Sequence, residues 1–235
     1  KQAINEVAKN NGVLMLPVFA LERSQEMIFE LKRLLTKGEI PSIPVFLDSP
    51  LAIKITDIYR DFVNMFDEQA FELMKKGEDI FDFRGLKYIN KPNQSRRISK
   101  MRGAKIVMAG SGMCDGGRIG GYLKKHLNNS KNKLVLVSFQ VPGTLGNTLA
   151  SGAKTVKIDK EKIRVRAEVS SIRAFSSHAD QGQLINWVSS IKKPKPKNVF
   201  IVHGEESSNL ALEERIKKEL GLNCVIPFYD KVYEV

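Results

Sequence analysis

Three histidines occur in the 235-residue chain, and two of them lie where a side chain can do metal or acid–base chemistry. His203 follows a buried apolar run in "VFIVHGEE", where a neutral imidazole can coordinate a metal ion. His178, in "AFSSHADQ", precedes an amphipathic pattern, and histidine transfers protons near neutral pH. The structural alternatives are a backbone-bonded histidine at 203 and an exposed helix-capping turn at 178. His126, at a predicted helix C-terminus, is interpreted as a surface residue.

The stretch "KIVMAGSGMCDGGRIGGYL" places closely spaced glycines between an apolar run and a helical pattern. Such a turn can direct backbone amides at a phosphate, as in a dinucleotide-binding fingerprint. Two features argue against a dinucleotide. The following strand ends in "SFQ", without the acidic residue that holds a ribose hydroxyl, and two strand–helix units already precede the loop. An anion site for one phosphate, and a tight turn that packs a helix on the sheet, both stay open.

Strand-like and helical patterns alternate along most of the chain, which predicts an α/β fold with a largely parallel sheet. The segment 154–172 breaks this alternation and predicts a hairpin around "DKEK", whereas 79–99 shows no regular pattern. The runs rich in β-branched residues predict buried strands at 12–20, 43–49, 104–112, 133–139 and 198–204.

Ligands of parallel sheets bind at the carboxyl ends of the strands. Asp48, Ser111 and His203 each lie at or just beyond a predicted strand end. If the strands of His178 and His203 are neighbours in one sheet, both histidines reach one cleft. Asp48 has a simpler alternative, since it can cap the helix that follows it.

Composition narrows the class of partner. The chain has 38 Lys and Arg against 26 Asp and Glu, a difference of +12, which favours a polyanion such as nucleic acid over a membrane. We find no apolar run near the ~20 residues that span a bilayer. The two cysteines lie far apart and predict neither a disulfide framework nor a cysteine zinc site, so a reducing cytoplasm is expected.

Five segments, in this order and spacing, make the pattern specific: "GVLMLPVFALERSQEM", "FLDSPLA", "MAGSGMCDGGRIGGYLKKHL", "AFSSHADQGQLINWV" and "VFIVHGEE". Together they resemble the β-CASP branch of the metallo-β-lactamase superfamily, the nucleic-acid-processing members. Within this branch they resemble the bacterial and archaeal endoribonuclease-like proteins related to the mRNA 3′-end cleavage nuclease. The resemblance implies a parallel-sheet α/β cap, the β-CASP domain, at residues 1–170. Residues 171–235 then correspond to the C-terminal return segment of a metallo-β-lactamase αββα core.

The resemblance also implies roles for single residues. His178 in "SSHAD" matches a motif histidine proposed to act catalytically near the leaving group, and His203 in "VHGE" matches a histidine that completes the second zinc site. A hydrolysed phosphodiester needs a hydroxide, charge neutralisation and a proton for the leaving oxygen. The remaining candidates share a contact with the RNA substrate: Ser111, Gly112, Arg118, Arg23 and Ser177.

One departure from the family is large, because the metal motif H-x-H-x-D-H is absent. Two zinc ions are implied for a full-length parent, but this chain alone is not expected to hold them tightly. The first residue, Lys1, favours a C-terminal portion whose N-terminal metallo-β-lactamase half is missing. A degenerate, non-catalytic relative is the alternative. A homodimer is compatible with the resemblance.

Three functional hypotheses remain. In the first, the chain is a portion of a zinc-dependent ribonuclease and is inactive alone. In the second, it is a non-catalytic RNA-binding α/β module. A dinucleotide-binding enzyme built on the glycine loop is disfavoured by the missing acidic residue.

Overall fold

The computed structural model describes residues 1–172, 174–175 and 178–233. The chain forms two compact units, Lys1–Phe175 and Ser176–Val235. Among the described residues, no helix is both long enough and apolar enough to cross a membrane.

The first unit alternates strands and helices. Its helices are α1 (Gln2–Asn10), α2 (Arg23–Thr36), α3 (Pro50–Asp61), α4 (Glu68–Lys75), α5 (Pro92–Lys100), α6 (Ile119–His126) and α7 (Leu145–Ala150), with a 3₁₀ turn at Val63–Met65. Its strands are β1 (Val13–Pro17), β2 (Val45–Asp48), β3 (Leu86–Tyr88), β4 (Lys105–Ala109), β5 (Lys133–Leu136), β6 (Thr155–Ile158), β7 (Glu161–Arg164) and β8 (Glu168–Ser171).

Six of these strands form one parallel sheet in the order β3-β2-β4-β1-β5-β8, which confirms the predicted α/β class. Strands β1, β2, β4 and β5 are buried along their whole length. Parallel strands covered by helices on both faces are continuously apolar, and this explains why the sequence shows runs rather than alternation. Their carboxyl ends lie at one edge, where Asp48 of β2 is in register with Ala109 of β4.

Each face of the sheet has its own core. One face packs against α1, α2 and α3 through residues such as Val7, Ile28 and Ala52. The other packs against α5, α6 and α7 through residues such as Ile98 and Leu123. The sheet is therefore the middle of three layers, and α5 and α6 lie on the face opposite α1 to α3.

The predicted hairpin is present as the antiparallel pair β6–β7. Asp159 and Lys160 form its two-residue turn with φ of 46° and 70°. Positive φ at both central positions is the type I′ arrangement that suits the twist of a hairpin. The segment without a predicted pattern contains β3 and α5. The period is hidden there because α5 is polar and buries only Ile98.

The second unit contains α8 (Gln181–Ser189), β9 (Val199–Phe200), α9 (Glu206–Leu220) and β10 (Cys224–Val225). A small core of Ile185, Ile201, Ile216 and Cys224 holds it together. The strand-like run at 198–204 does not extend the six-stranded sheet of the first unit, because β9 pairs in parallel with β10 in a separate two-stranded sheet. β-branched composition favours a strand but does not select its partner.

The interpretation of His126 as a surface residue was also wrong. Its side chain is buried at the end of α6 and stacks on Tyr122 at 6.5 Å between ring centroids. Burial lowers the pKa of His126 to about 4, and the charges of Lys105 and Lys125 act in the same direction. Desolvation of the charged imidazole therefore outweighs the favourable effect of the helix C-terminus here.

This burial predicts a pH-dependent stability. Between about pH 6.5 and pH 4 the unfolded chain binds a proton at His126 that the folded chain excludes, so the free energy of unfolding falls as pH falls. The shift corresponds to a loss on the order of 3 kcal/mol, complete near pH 4. Urea unfolding across this window measures it, and His126→Gln should remove this contribution to the pH dependence. The matched control replaces the exposed His178 and His203 with Gln. An equal loss of pH dependence in that control would contradict the assignment.

Candidate functional site

The carboxyl edge of the sheet is organised around the carboxylate of Asp48. Asp48 ends β2 and is fully buried. Its Oδ1 accepts a hydrogen bond from Nη1 of Arg118 in an ion pair, and its Oδ2 accepts one from the Tyr122 hydroxyl at 2.7 Å. Burial, followed by the bond to Asp48, raises the pKa of Tyr122 far above its usual value. A buried carboxylate is stable only with such partners, so these contacts satisfy Asp48.

Arg118 extends this cluster to a third element. Its guanidinium also donates to the carbonyl of Ile89 at 3.0 Å and to that of Asn90 at 2.6 Å, just beyond β3. Asp48 does not cap the following helix, because Ser49 takes that role and its Oγ accepts from the amide of Ala52 at 3.3 Å. Arg118, a predicted phosphate contact, is thus held by protein groups. That role stays a prediction.

The glycine loop after β4 is a tight turn that joins the sheet to α6. The Ser111 hydroxyl donates to the carbonyl of Asp115 at 2.8 Å, and the amide of Ile119 donates to the carbonyl of Gly110 at 2.9 Å. Gly117 has φ +67°, and a Cβ there would lie 2.3 Å from the Gly110 carbonyl oxygen. Only glycine fits this approach, so the spacing of the glycines reflects the packing of α6 on the sheet.

The same loop offers backbone donors at the sheet edge. Within the described part of the chain, the amides of Ser111 and Gly112 donate no hydrogen bond to a protein acceptor. Gly112 is buried beneath the Phe19 ring, and its carbonyl accepts from Nε2 of Gln140 at 3.0 Å. Phe19 and Gln140 therefore hold the loop in place, while the amides of Ser111 and Gly112 have no hydrogen-bond acceptor among the described residues. Successive amides at a turn can bind an anion where a ligand reaches them.

Arg23 begins α2, directly after the first strand–helix connection. Its side chain is buried, pairs with Glu26 and lies 5.7 Å from the centre of the Phe175 ring. Burial raises the pKa of Glu26, and the Arg23 charge opposes that shift. The structure thus engages Arg23 in internal contacts, and its predicted phosphate contact stays a prediction.

The two histidines with predicted chemistry both lie in the second unit. His178 is exposed in a turn that leads to α8, and Asp180 caps this helix with a reciprocal pair of 2.8 Å bonds to Gln183. The structural alternative for His178, an exposed helix-capping turn, is therefore present. Ser177, a predicted substrate contact, lies outside the described residues.

His203 is exposed between β9 and α9, with φ of 61°. This region is uncommon for non-glycine residues but favours histidine over most of them, and the described residues include other non-glycine residues with positive φ, such as Asn11 and Asp230. The buried, backbone-bonded alternative is excluded by the exposure of the side chain.

The described residues do not by themselves fit a zinc centre. Over 1–172, 174–175 and 178–233, no three His, Cys, Asp or Glu side chains are grouped so that they could hold a metal ion. A structural zinc takes four ligands and a catalytic one takes three plus water. Both cysteines are free and buried, and burial raises the pKa of Cys114 to about 12.

Tyr122 and Gln140 were missed from the sequence, although both are central to this edge. Tyr122 lies one turn after Arg118 on α6, which is the spacing that brings two side chains to one carboxylate. An acidic residue at the end of an apolar strand, as in "VFLD", requires buried hydrogen-bond partners. That requirement was the sequence signal for a partner such as Tyr122. Gln140 carries no comparable signal.

Comparison with known families identifies the chain. The model of the β-CASP domain matches residues 24–149, which is more than half of the sequence. The chain belongs to the β-CASP family of the metallo-β-lactamase superfamily. A second model, described as the zinc-dependent metallo-hydrolase RNA specificity domain, matches residues 162–227.

Several curated proteins are similar over nearly the whole chain. A ribonuclease of Thermus thermophilus is 34% identical over 212 residues, 90% of this chain and 47% of its own length. An RNase J-like protein of Methanocaldococcus jannaschii is 31% identical over 226 residues, 96% of this chain and 51% of its own. Transcription termination factor FttA of Methanosarcina mazei is 28% identical over 229 residues, 94% and 36% respectively. The chain thus spans about half the length of its curated relatives, or less.

The Asp48 cluster predicts a large loss of stability for a small change. Asp48→Asn leaves Arg118 beside a neutral amide and should cost about 3 kcal/mol of unfolding free energy. The control is Asp57→Asn, which breaks the pair between an exposed carboxylate and Arg60 and should cost less than about 0.5 kcal/mol. Urea unfolding of both variants measures the difference, and equal costs would contradict a special role for Asp48.

Proposed function

We propose that this chain is the β-CASP and C-terminal portion of a zinc-dependent ribonuclease that hydrolyses RNA phosphodiester bonds in the cytoplasm. The observation that carries the proposal is the succession, in one chain, of a β-CASP match and a match to an RNA specificity domain. In this proposal residues 1–170 form the β-CASP domain and 171–235 the C-terminal part of the metallo-β-lactamase domain. The boundary of the compact units at Phe175–Ser176 supports that division.

The charge of the chain supports RNA as the partner. The excess of 12 positive charges includes exposed cations on the β6–β7 hairpin. Lys157 lies directly opposite Lys162 there, and both are exposed beside Arg164. Like charges opposed across strands destabilise a hairpin, whereas a bound polyanion relieves that repulsion.

Each candidate residue has one proposed role. His203 is a ligand of one zinc ion, and its exposed side chain in a left-handed turn is accessible for this. His178 is the proton donor to the leaving oxygen. The amides of Ser111 and Gly112 bind a substrate phosphate, and Arg118, Arg23 and Ser177 are further proposed contacts.

The zinc ions are proposed for the whole protein. This chain offers His203 but no complete ligand set within its described residues, so the remaining ligands are proposed to come from an N-terminal metallo-β-lactamase half. The greater length of the relatives is consistent with that arrangement. In this proposal the chain alone does not cleave RNA.

A non-catalytic RNA-binding module is the second candidate, and the incomplete ligand set among the described residues is the observation that favours it. The two functions separate in the whole protein: a ribonuclease cleaves RNA there with zinc present, and a binding module does not. A homodimer is compatible with both.

RNA binding by this chain should depend strongly on salt. Each phosphate that the protein neutralises releases counterions, so log affinity should fall with log salt with a slope of about −0.7 per contact on a single strand. Fluorescence anisotropy of a labelled oligouridylate between about 50 and 200 mM KCl measures the slope. An affinity that does not change with salt, or no binding at all, would contradict the proposed function.

Variants of the whole protein separate the roles of the two histidines. His203→Ala should reduce bound zinc and abolish cleavage, because a ligand is removed. His178→Ala should keep the zinc and slow the chemical step by about 10²–10⁴-fold, the usual effect of removing a general acid. Elemental analysis and single-turnover cleavage measure the two effects, and equal zinc loss in both variants would refute this division.

A further inference from the structure

A groove between α5 and α6 is lined by four cationic side chains and by no acidic one. It encloses about 170 Å³, which is room for a phosphate group with several waters, since one water occupies about 30 Å³. No side chain that lines it is acidic. The lining consists of Ser95, Arg96, Ser99, Lys100, Arg118, Gly121, Tyr122 and Lys125.

Three of the four cations are uncompensated. The charge of Arg118 is offset by Asp48, which the Tyr122 hydroxyl also binds. Arg96, Lys100 and Lys125 are exposed, and none has a carboxylate within 4.0 Å in the described part of the chain. They come from two helices, and all three line one cavity. Like charges that line one cavity repel each other, and a bound anion relieves that repulsion.

The floor of the groove is open at Gly121. A Cβ built on Gly121 would meet no atom within 4 Å, so no protein contact requires glycine at this place in α6. Glycine inside a helix costs about 0.5–1 kcal/mol relative to alanine. The absence of a side chain keeps the groove accessible between the cations.

We propose that the α5–α6 groove binds a phosphate group of the RNA backbone, with Arg96, Lys100 and Lys125 neutralising it. This inference rests on the proposed function, because it takes RNA to be the ligand. The groove reads no base, so the contact is independent of RNA sequence.

Three variants of this chain test the groove with a fluorescein-labelled oligouridylate of about 20 nucleotides. Arg96→Gln with Lys100→Gln and Lys125→Gln removes the uncompensated charge. Gly121→Leu fills the groove and leaves the charge unchanged. The control, Lys9→Gln with Lys37→Gln and Lys54→Gln, removes the same charge from exposed positions of the opposite helical layer.

The groove triple variant should weaken RNA binding about tenfold and make the salt slope shallower by about 0.7 for each phosphate that the protein no longer neutralises. Gly121→Leu should weaken binding by a comparable factor, whereas the control should change it less than about twofold. Thermal unfolding midpoints near that of the parent chain confirm that the variants are folded.

Two results overturn the proposal and differ from each other. If the parent chain binds RNA, but both triple variants weaken binding equally and Gly121→Leu has no effect, only overall charge matters and the groove is refuted alone. If the parent chain does not bind RNA, the proposed function fails and the groove proposal fails with it.

Discussion

The edge of the sheet that carries the candidate site depends on one buried carboxylate. Asp48 ends a strand inside the protein, where an unpaired charge would be very costly. Its carboxylate therefore requires a cation and hydrogen-bond donors beside it. Arg118 and Tyr122 meet this need from the first turns of α6, and Arg118 also binds the two carbonyls after β3. One interaction therefore sets the position of α6, the end of β2 and the segment that leads into α5.

Two surfaces follow from the placement of α6. Its N-terminal end fixes the glycine loop, where the amides of Ser111 and Gly112 lie at the carboxyl ends of the strands. Its outer side forms one wall of the α5–α6 groove with Gly121 and Lys125. Both surfaces present donors or cations suited to phosphate, and they lie on the unit that matches the β-CASP domain. The Asp48 cluster is thus the scaffold that orients both sets of proposed phosphate contacts.

The sequence predicts the parts of this structure that depend on local pattern. The alternation of apolar runs and helical periods indicated the parallel sheet, and "DKEK" indicated the β6–β7 hairpin. Nonlocal partners were not predictable. Composition did not reveal that β9 pairs with β10, nor that His126 lies against Tyr122 in the core. Helix α5 was not predicted, because its single buried residue, Ile98, cannot produce a periodic apolar pattern.

The candidate site was also only partly predictable from the sequence. The position of Asp48 at a strand end was visible, while its partner Tyr122 depended on how α6 packs. For Arg118 and Arg23 the residue type suggested a phosphate contact, yet protein groups bind both side chains. Residue type alone does not distinguish a free cation from one that a buried carboxylate holds.

In the proposed function, this chain binds RNA although its described residues hold no complete metal centre. The zinc content of the purified chain tests this directly, after equilibration with excess zinc and removal of unbound metal, on a sample that binds RNA. We expect much less than one tightly held ion per chain and no cleavage of a labelled RNA with zinc present. Two tightly held ions per chain together with cleavage would contradict this claim.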